Sequence, residues 1–295
     1  IKIKATNFAA LESPIGNYKA SGYLKQNLEL DIDNIKCNIN KDKVTGSYKQ
    51  CWNPHRYKFI LNGHLIPTTI NNWLDDWWDN IWSDFVFDNN ITPYGDFVIS
   101  GDWAKPSDIV TYGLVNSKNF KYKNLLINDT KLEITADHNS TTFQTNSLLH
   151  SLGKLSGSIS IYNKRSQNNK SIEFKVIGSI PINNSKKIFG PVVESYLKDF
   201  NLSDGFIKAQ GYIPIKLGDA NYSNSNYNYI NIDFNTDKNS TWNDVKIERF
   251  NCHLSSDFQI TKLLLPSIKL PDGKLTFNTS INNDNGLTSF NFDLI

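Results

Sequence analysis

Two stretches of the chain repeat one order of residues, and that order is a pattern of strands and turns. KVTGSYKQCWNPHRYKFILNGHLIP begins at Lys43, and KLSGSISIYNKRSQNNKSIEFKVIGSIP begins at Lys154. Each opens on lysine, an aliphatic residue, a hydroxyl residue and Gly-Ser. Each then crosses a polar turn into an alternating segment and closes on proline. After Pro67 comes TTINNWLDDWWDNIWSDF, and after Pro181 comes INNSKKIFGPVVESYLKDF; both end in Asp-Phe. GDFVISGDW from Gly95 matches DGFIKAQGYI from Asp204, aligning Gly101 with Gly211. The spacings are 111 residues from Lys43 to Lys154, 114 from Pro67 to Pro181 and 110 from Gly101 to Gly211. A further echo links FQTNSLLHSLGKLSGSISI from Phe143 to FQITKLLLPSIKLPDGKLTFNTSI from Phe258. Self-similarity at a fixed period is the signature of stacked units. The reading divides the chain into residues 1–42, ending a preceding unit, 43–153, 154–272, and 273–295, beginning another.

Within the units the apolar period is two. Phe59, Leu61, Gly63 and Leu65 alternate with Ile60, Asn62 and His64, while Leu155, Gly157, Ile159 and Ile161 alternate with serines. Ile172, Phe174, Val176, Gly178 and Ile180 follow the same rule, as do Ile207-Ala209-Gly211-Ile213, Ile230-Ile232-Phe234 and Leu275-Phe277-Thr279-Ile281. Strands of this kind have one apolar and one polar face. Short connections between them, including Asn285-Gly286 before Phe290, Phe292 and Leu294, predict an antiparallel meander. The fold class is mainly β: a long antiparallel sheet, twisted and curved, built from repeats. At typical strand-plus-turn lengths it holds on the order of sixteen to twenty strands.

Two segments break the period. Ile70, Trp73, Leu74, Trp77, Trp78, Ile81, Trp82 and Phe85 are spaced by threes and fours, which predicts an amphipathic helix over about 70–85. Ile188, Phe189, Val192, Val193, Tyr196, Leu197 and Phe200 repeat the stripe 115 residues on from Trp73, predicting a second helix over about 186–200. These apolar residues are expected at a packing or interface surface. A sugar-stacking platform would keep flat rings in both copies, and only one copy has them. A membrane-surface helix would carry bases on its polar face, where Asp75, Asp76, Asp79 and Asp84 stand instead. Packing against the apolar face of the sheet is the reading those two contrasts favour.

No catalytic constellation is visible. Asp75 and Asp79 lie four apart on a helix face, but nothing in the sequence desolvates either one. His55, His64, His138, His150 and His253 show no metal-ligand spacing, with His64 and His138 falling in strand patterns and surface or edge positions expected for all five. Neither a phosphate-binding glycine loop nor a nucleophile elbow occurs. The chain is read as not an enzyme, with no cofactor and no metal. A net charge of +2 gives no nucleic-acid signature. Cys37, Cys51 and Cys252 lack metal spacing, and strand parity argues against a Cys37–Cys51 bridge without excluding it. The absence of any methionine is read as a sign of a piece cut from a longer polypeptide, so that targeting or membrane-anchoring segments would lie elsewhere in it.

Two helices cannot cover the apolar face of so many strands. The remainder closes as a sandwich, or it lines a trough kept for a ligand; patterning alone leaves both open. The glycine-punctuated strand at Gly95 to Gly101, NSKNFKYKNLLINDTKLEITADHNS and LGKLSGSISIYN resemble the repeats of the AsmA-like and TamB-like bacterial envelope proteins. That resemblance implies a groove that is apolar inside and polar outside, in the periplasm and cell envelope, passing phospholipids or other acyl lipids between membranes. Under it Phe59, Leu61, Leu65, Ile159, Ile161, Phe174, Val176, Ile207 and Phe277 contact lipid. The other partner is the remainder of the same polypeptide, which would supply the membrane contacts; no nucleic acid is expected. The alternative is a β-sandwich binding or structural module of a surface protein that stacks sugars on its tryptophans.

Overall fold

The computed structural model describes residues 1–10, 13–39, 42–66, 82–88, 91–123, 125–151, 153–164, 169–180, 198–202, 205–216, 229–236, 240–257, 260–282 and 287–294. The chain divides into two compact units, Ile1–Leu148 and Leu149–Ile295. The fold is mainly β and antiparallel, in agreement with the period-two reading. Of the helix expected over 70–85, the segment 67–81 lies outside the described residues, and so does 181–197 of the one expected over 186–200. Trp73, Leu74, Trp77, Trp78, Ile81, Phe189, Val192, Val193, Tyr196 and Leu197 therefore lie outside them too. Trp82 is helical, and a turn at residues 83–84 follows it.

The first unit contains β1 (Lys2–Ala10), β2 (Ser13–Leu24), β3 (Glu29–Ile39), β4 (Asp42–Trp52), β5 (His55–His64), β6 (Phe85–Val86), β7 (Tyr94–Asp102), β8 (Lys105–Tyr122) and β9 (Leu125–Ala136). β10 (Ser140–His150) runs across the division and pairs with β9. Sequence neighbours pair throughout, with one detour: β5 pairs with β7, and β6 adds to the far end of β8 through Phe85↔Tyr122 and Val86↔Lys121.

The second unit contains β11 (Gly153–Lys164), β12 (Asn169–Ile180), β13 (Phe200–Asn201), β14 (Gly205–Lys216), β15 (Tyr229–Thr236), β16 (Ser240–Trp242), β17 (Val245–Ile247), β18 (Arg249–Ser256), β19 (Ile260–Leu270), β20 (Gly273–Asn282) and β21 (Thr288–Leu294). The main pairing runs β11–β12–β14–β15–β18–β19–β20–β21. β13, β16 and β17 form a separate three-stranded sheet.

Register ties the copies together more closely than composition does. Val44 faces Gly63 and Gly46 faces Leu61 across β4–β5; Leu155 faces Gly178 and Gly157 faces Val176 across β11–β12. Gly63 (φ 155°) and Gly178 (φ 145°) share a backbone conformation that L side chains rarely adopt. A Cβ on Gly63 would strike the carbonyl oxygen of Lys43, and one on Gly178 that of Lys154. The hairpin ends agree as well: Phe120↔Ile127 and Tyr122↔Leu125 across β8–β9 recur as Ser240↔Ile247 and Trp242↔Val245 across β16–β17.

β1–β2 copies β8–β9 in the same way, since Ile3↔Ala20 and Ala5↔Tyr18 correspond to Val115↔Leu132 and Ser117↔Thr130. At the same place in both hairpins Asn7 (φ 51°) and Asn119 (φ 49°) take the left-handed conformation that asparagine tolerates best after glycine; in β1–β2 the register shifts there, while β8–β9 keeps its register.

Three expectations need correction. Phe174 faces Gly211 while Phe59 faces Ile99, so Gly211 occupies the place of Ile99 and not that of Gly101. A two-residue slide preserves which face every side chain occupies, so alternation cannot detect it. His138 lies in the bend between β9 and β10, outside any strand, because Asp137 turns the chain there by accepting the amides of Asn139 and Ser140. His150 is neither a surface nor an open-edge residue: it is buried, and its Nε2 lies 2.8 Å from the Ser179 carbonyl oxygen.

Candidate functional site: an apolar sheet face

Register fixes the composition of each face. In unit 1 one face presents Ile3, Ala20, Ile35, Gly46 and Leu61 across β1 to β5, continuing through Phe97, Gly113 and Ile134 on β7 to β9. The same rows offset by one give Lys4, Lys19 and Lys36 on the opposite face, with Lys58 facing Ser100 further along. In unit 2 the apolar rows run Ile159, Phe174, Gly211, Ile230 and Gly157, Val176, Ala209, Ile232, Leu254, Leu263, Thr279. Lys175, Lys208 and Asp233 take the opposite parity.

The residues proposed from sequence fall on this pattern as follows. Phe59 and Leu61 share the apolar face of unit 1; Leu65, just past β5, packs with Phe59 against the cluster of Ala20, Ile32, Ile35 and Cys37. Ile159, Ile161, Phe174, Val176, Ile207 and Phe277 share the apolar face of unit 2. Their burial is graded. Ile207 (3 % exposed) is inside a closed core, Ile161 is buried, Phe174, Val176 and Phe277 are half-buried, and Ile159 is 43 % exposed.

The gradient has a structural cause. One end of the unit-2 face is covered where Leu202, Ile247 and Phe250 close over Ile207, Phe234 and Ile268, leaving each at a few per cent exposure. The Asp-Phe dipeptides build this cover. Phe200 stacks on Trp242 at 5.9 Å and meets Phe250 at 5.4 Å; its counterpart Phe85 meets Tyr122 at 4.9 Å and Phe120 at 6.1 Å. Trp82 meets Phe85 edge-on at 5.8 Å. Ile161, toward the other end of the same face, is buried as well, and the exposed residue of the set is Ile159 between them.

Aromatic rings on the open part lie flat. Phe97 faces Gly113 and Phe174 faces Gly211, and a Cβ on either glycine would fall 2.5–2.6 Å from the ring. A ring that rests on a cross-strand glycine covers backbone without projecting from the sheet. The result is a low, smooth apolar surface.

Burial raises the hydroxyls of Tyr18, Tyr48 and Tyr57 and the thiol of Cys37. Cys252 is half-buried as a residue, yet its sulfur sits within the packed cluster; burial, then the nearby Asp233 charge, push the thiol up to about 12. Cys37, Cys51 and Cys252 are all free thiols, so the parity argument against a bridge agrees with the structure.

The charged contacts lie elsewhere. Asp233 meets His253 Nδ1 at 2.6 Å on the polar face, both side chains being well exposed. Lys49 and Lys25 flank Asp31 at 3.3 and 3.6 Å. Among the described residues no group of three or more His, Cys, Asp or Glu is placed to hold a metal ion, and no helix is long and apolar enough to cross a membrane. A shallow depression of about 300 Å³ on unit 1 is lined by Val98, Val110, Tyr112 and Thr135 with no charged group beyond Asp137.

Sequence reading expected Phe85 and Phe200 to pack against the sheet from the ends of two helices; the structure places both instead in the short strands β6 and β13, and the left-handed Asn7 and Asn119 were missed. Signals were present in each case: the spacing of Asn-Phe at 7–8 and 119–120, and Asp-Phe at 84–85 and 199–200.

Fold and surface together define a class: a repeat protein of antiparallel strands with one apolar and one lysine-bearing face. Comparison with protein-family models, curated proteins and solved structures gave no match.

Proposed function

We propose that the apolar face holds the acyl chains of phospholipids, and that the protein is a non-catalytic section of a bacterial envelope protein conducting lipid between membranes. The observation that carries this is the pairing of a smooth, half-open apolar surface with an oppositely facing lysine-bearing one, repeated in register in both units. Acyl chains lying on Leu61, Phe97, Ile159, Phe174 and Val176 gain about 0.8 kcal/mol per buried CH₂, which retains a lipid without a pocket shaped to one headgroup. Headgroups stay in water, and movement along the surface requires no bond to break. The likeness of the strand order to AsmA-like repeats supports the same reading and the periplasmic location.

The test is photo-crosslinking of purified protein with a phospholipid carrying a photoreactive acyl chain, beside native mass spectrometry for copurified lipid. Leu61→Asp and Phe174→Asp, on the apolar face, should lose labelling; Lys58→Asp and Lys175→Asp, on the other face, should keep it. Unchanged labelling in the first pair, or a folded, lipid-free protein that binds glycans, sinks the proposal.

A further inference from the structure

The lysine-bearing face of unit 1 is not polar throughout. Beside Phe59 a row runs through Ser47, Ile60, Val98, Tyr112 and Thr135, from β4 to β9, and Val110 adjoins it opposite Ser100. Val110 and Tyr112 are 50 % and 45 % exposed. Beside Phe174, the matching row of unit 2 runs through Ser158, Lys175, Gln210, Asn231 and Ser255. The fold of this repeat is therefore satisfied by polar residues at these positions, and the apolar ones in unit 1 answer some other need.

Val98, Val110 and Tyr112 line the depression of about 300 Å³, with Asp137 at its edge. The next row sharpens the contrast: Asp96 and Glu133 stand where unit 2 has Lys208 and His253. Lys58, opposite Ser100, is the base beside them, so carboxylates outnumber it. Asp96 accepts the Asn62 side-chain amide at 2.7 Å and the Tyr94 hydroxyl at 3.1 Å, both on Oδ1. Asp137 accepts the amides of Asn139 and Ser140 at 2.8 Å, again on Oδ1. Oδ2 of each carboxylate takes none of these bonds.

Small molecules are held where most of their surface is enclosed, and a depression on an open sheet encloses little. A side chain delivered by a larger partner needs no such enclosure. Arginine matches the lining: its methylene stem packs on valine, its planar cation lies on an aromatic ring, and its fork of donors meets carboxylates.

We infer that this depression docks a protein partner, which seats an arginine against Val98, Val110 and Tyr112 and pairs it with Glu133 and Asp137. The site is on the face turned away from the proposed lipid surface, and it holds whatever that surface carries.

The probe is a short capped peptide, glycine-arginine-serine-arginine-glycine, titrated into the intact chain while backbone amide resonances are followed. Shifts should concentrate at residues 98–100, 110–112 and 135–140. Lysine in place of both arginines should weaken binding about fivefold, because an ammonium neither stacks nor forks, and glutamate should abolish it. Val98→Gln with Tyr112→Asn installs unit 2's own residues at these positions, so the sheet should keep its resonances elsewhere while affinity falls about tenfold. Glu133→Gln, which removes one carboxylate, should weaken binding about threefold. No shift at the depression, equal affinity for the lysine or glutamate peptide, full affinity in the double variant, or shifts that follow protein concentration without peptide would each overturn the inference.

Discussion

The carbonyl oxygen of Asp84 accepts the amide of Lys123 at 2.6 Å, and 115 residues on from that aspartate, Asp199 accepts the amide of Asn243 at 3.1 Å. Both donors are left-handed, with φ of 50° and 45°. The bond fixes where the chain re-enters the sheet after the segment between β5 and β7, or between β12 and β14. It places Phe85 and Phe200 to close one end of each apolar face.

That conformation costs an L-residue other than glycine or asparagine roughly 1–2 kcal/mol. Lys123→Gly should therefore stabilise the protein by up to about 1 kcal/mol, because the ion pair it gives up, Lys123 to Asp84 at 3.7 Å, is exposed and worth little. Asn243→Gly should change stability by only a few tenths of that, asparagine already suiting the position. Urea midpoints of the two variants decide the matter; an equal response would show that backbone strain is not what separates them.

Gly63 and Gly178 make a symmetrical prediction. Alanine at either would place a Cβ against a lysine carbonyl in a conformation reserved for glycine, at about 2–4 kcal/mol from strain and overlap together. Gly63→Ala and Gly178→Ala should each lower the denaturation midpoint, and by similar amounts, since their surroundings repeat. A large loss in one and none in the other would mean that the two hairpins differ in ways register does not reveal.

The flat rings offer a gentler test. Gly113→Ala and Gly211→Ala force the rings of Phe97 and Phe174 to lift, costing about 1–3 kcal/mol. Replacing the phenylalanine as well, in Gly211→Ala with Phe174→Leu, should recover part of that loss. A double-mutant cycle measures the coupling, and additive effects would show that ring and glycine do not act together.

Much of this architecture was legible in the sequence because alternation and recurrence are local. Phe59 with Leu61, and Ile159 with Phe174, were assigned to one face from period two alone, and register bears that out. The Gly101–Gly211 equivalence failed because a slide of two leaves every face unchanged; only hydrogen-bond pairing reveals it. The closing of the unit-2 face was hidden for a different reason. Leu202, Ile247 and Phe250 lie apart in sequence and meet through the small sheet of β13, β16 and β17. No single window contains that contact.

The cysteines report on the same core. With its thiol at about 12 against an ordinary 9.0, Cys252 carries roughly a thousandth of the usual thiolate at pH 8, and the thiolate is the reactive form. Iodoacetamide should label it about a thousandfold more slowly than an unfolded cysteine, and Cys37, buried and also raised, should lag as well. The linkage runs in a definite direction. The folded state holds this proton more tightly than the unfolded one, so the contribution is fully present below pH 9 and is lost as pH rises toward 12. Between those limits stability should fall by roughly 1.4 kcal/mol per pH unit from this group alone. Cys252→Ala should lack that slope while keeping the rest of the alkaline profile. Mass-spectrometric labelling with urea melts at pH 8, 9 and 10 measures both effects, and rapid labelling of native Cys252 would place its sulfur outside the packed cluster of Phe234 and Phe250.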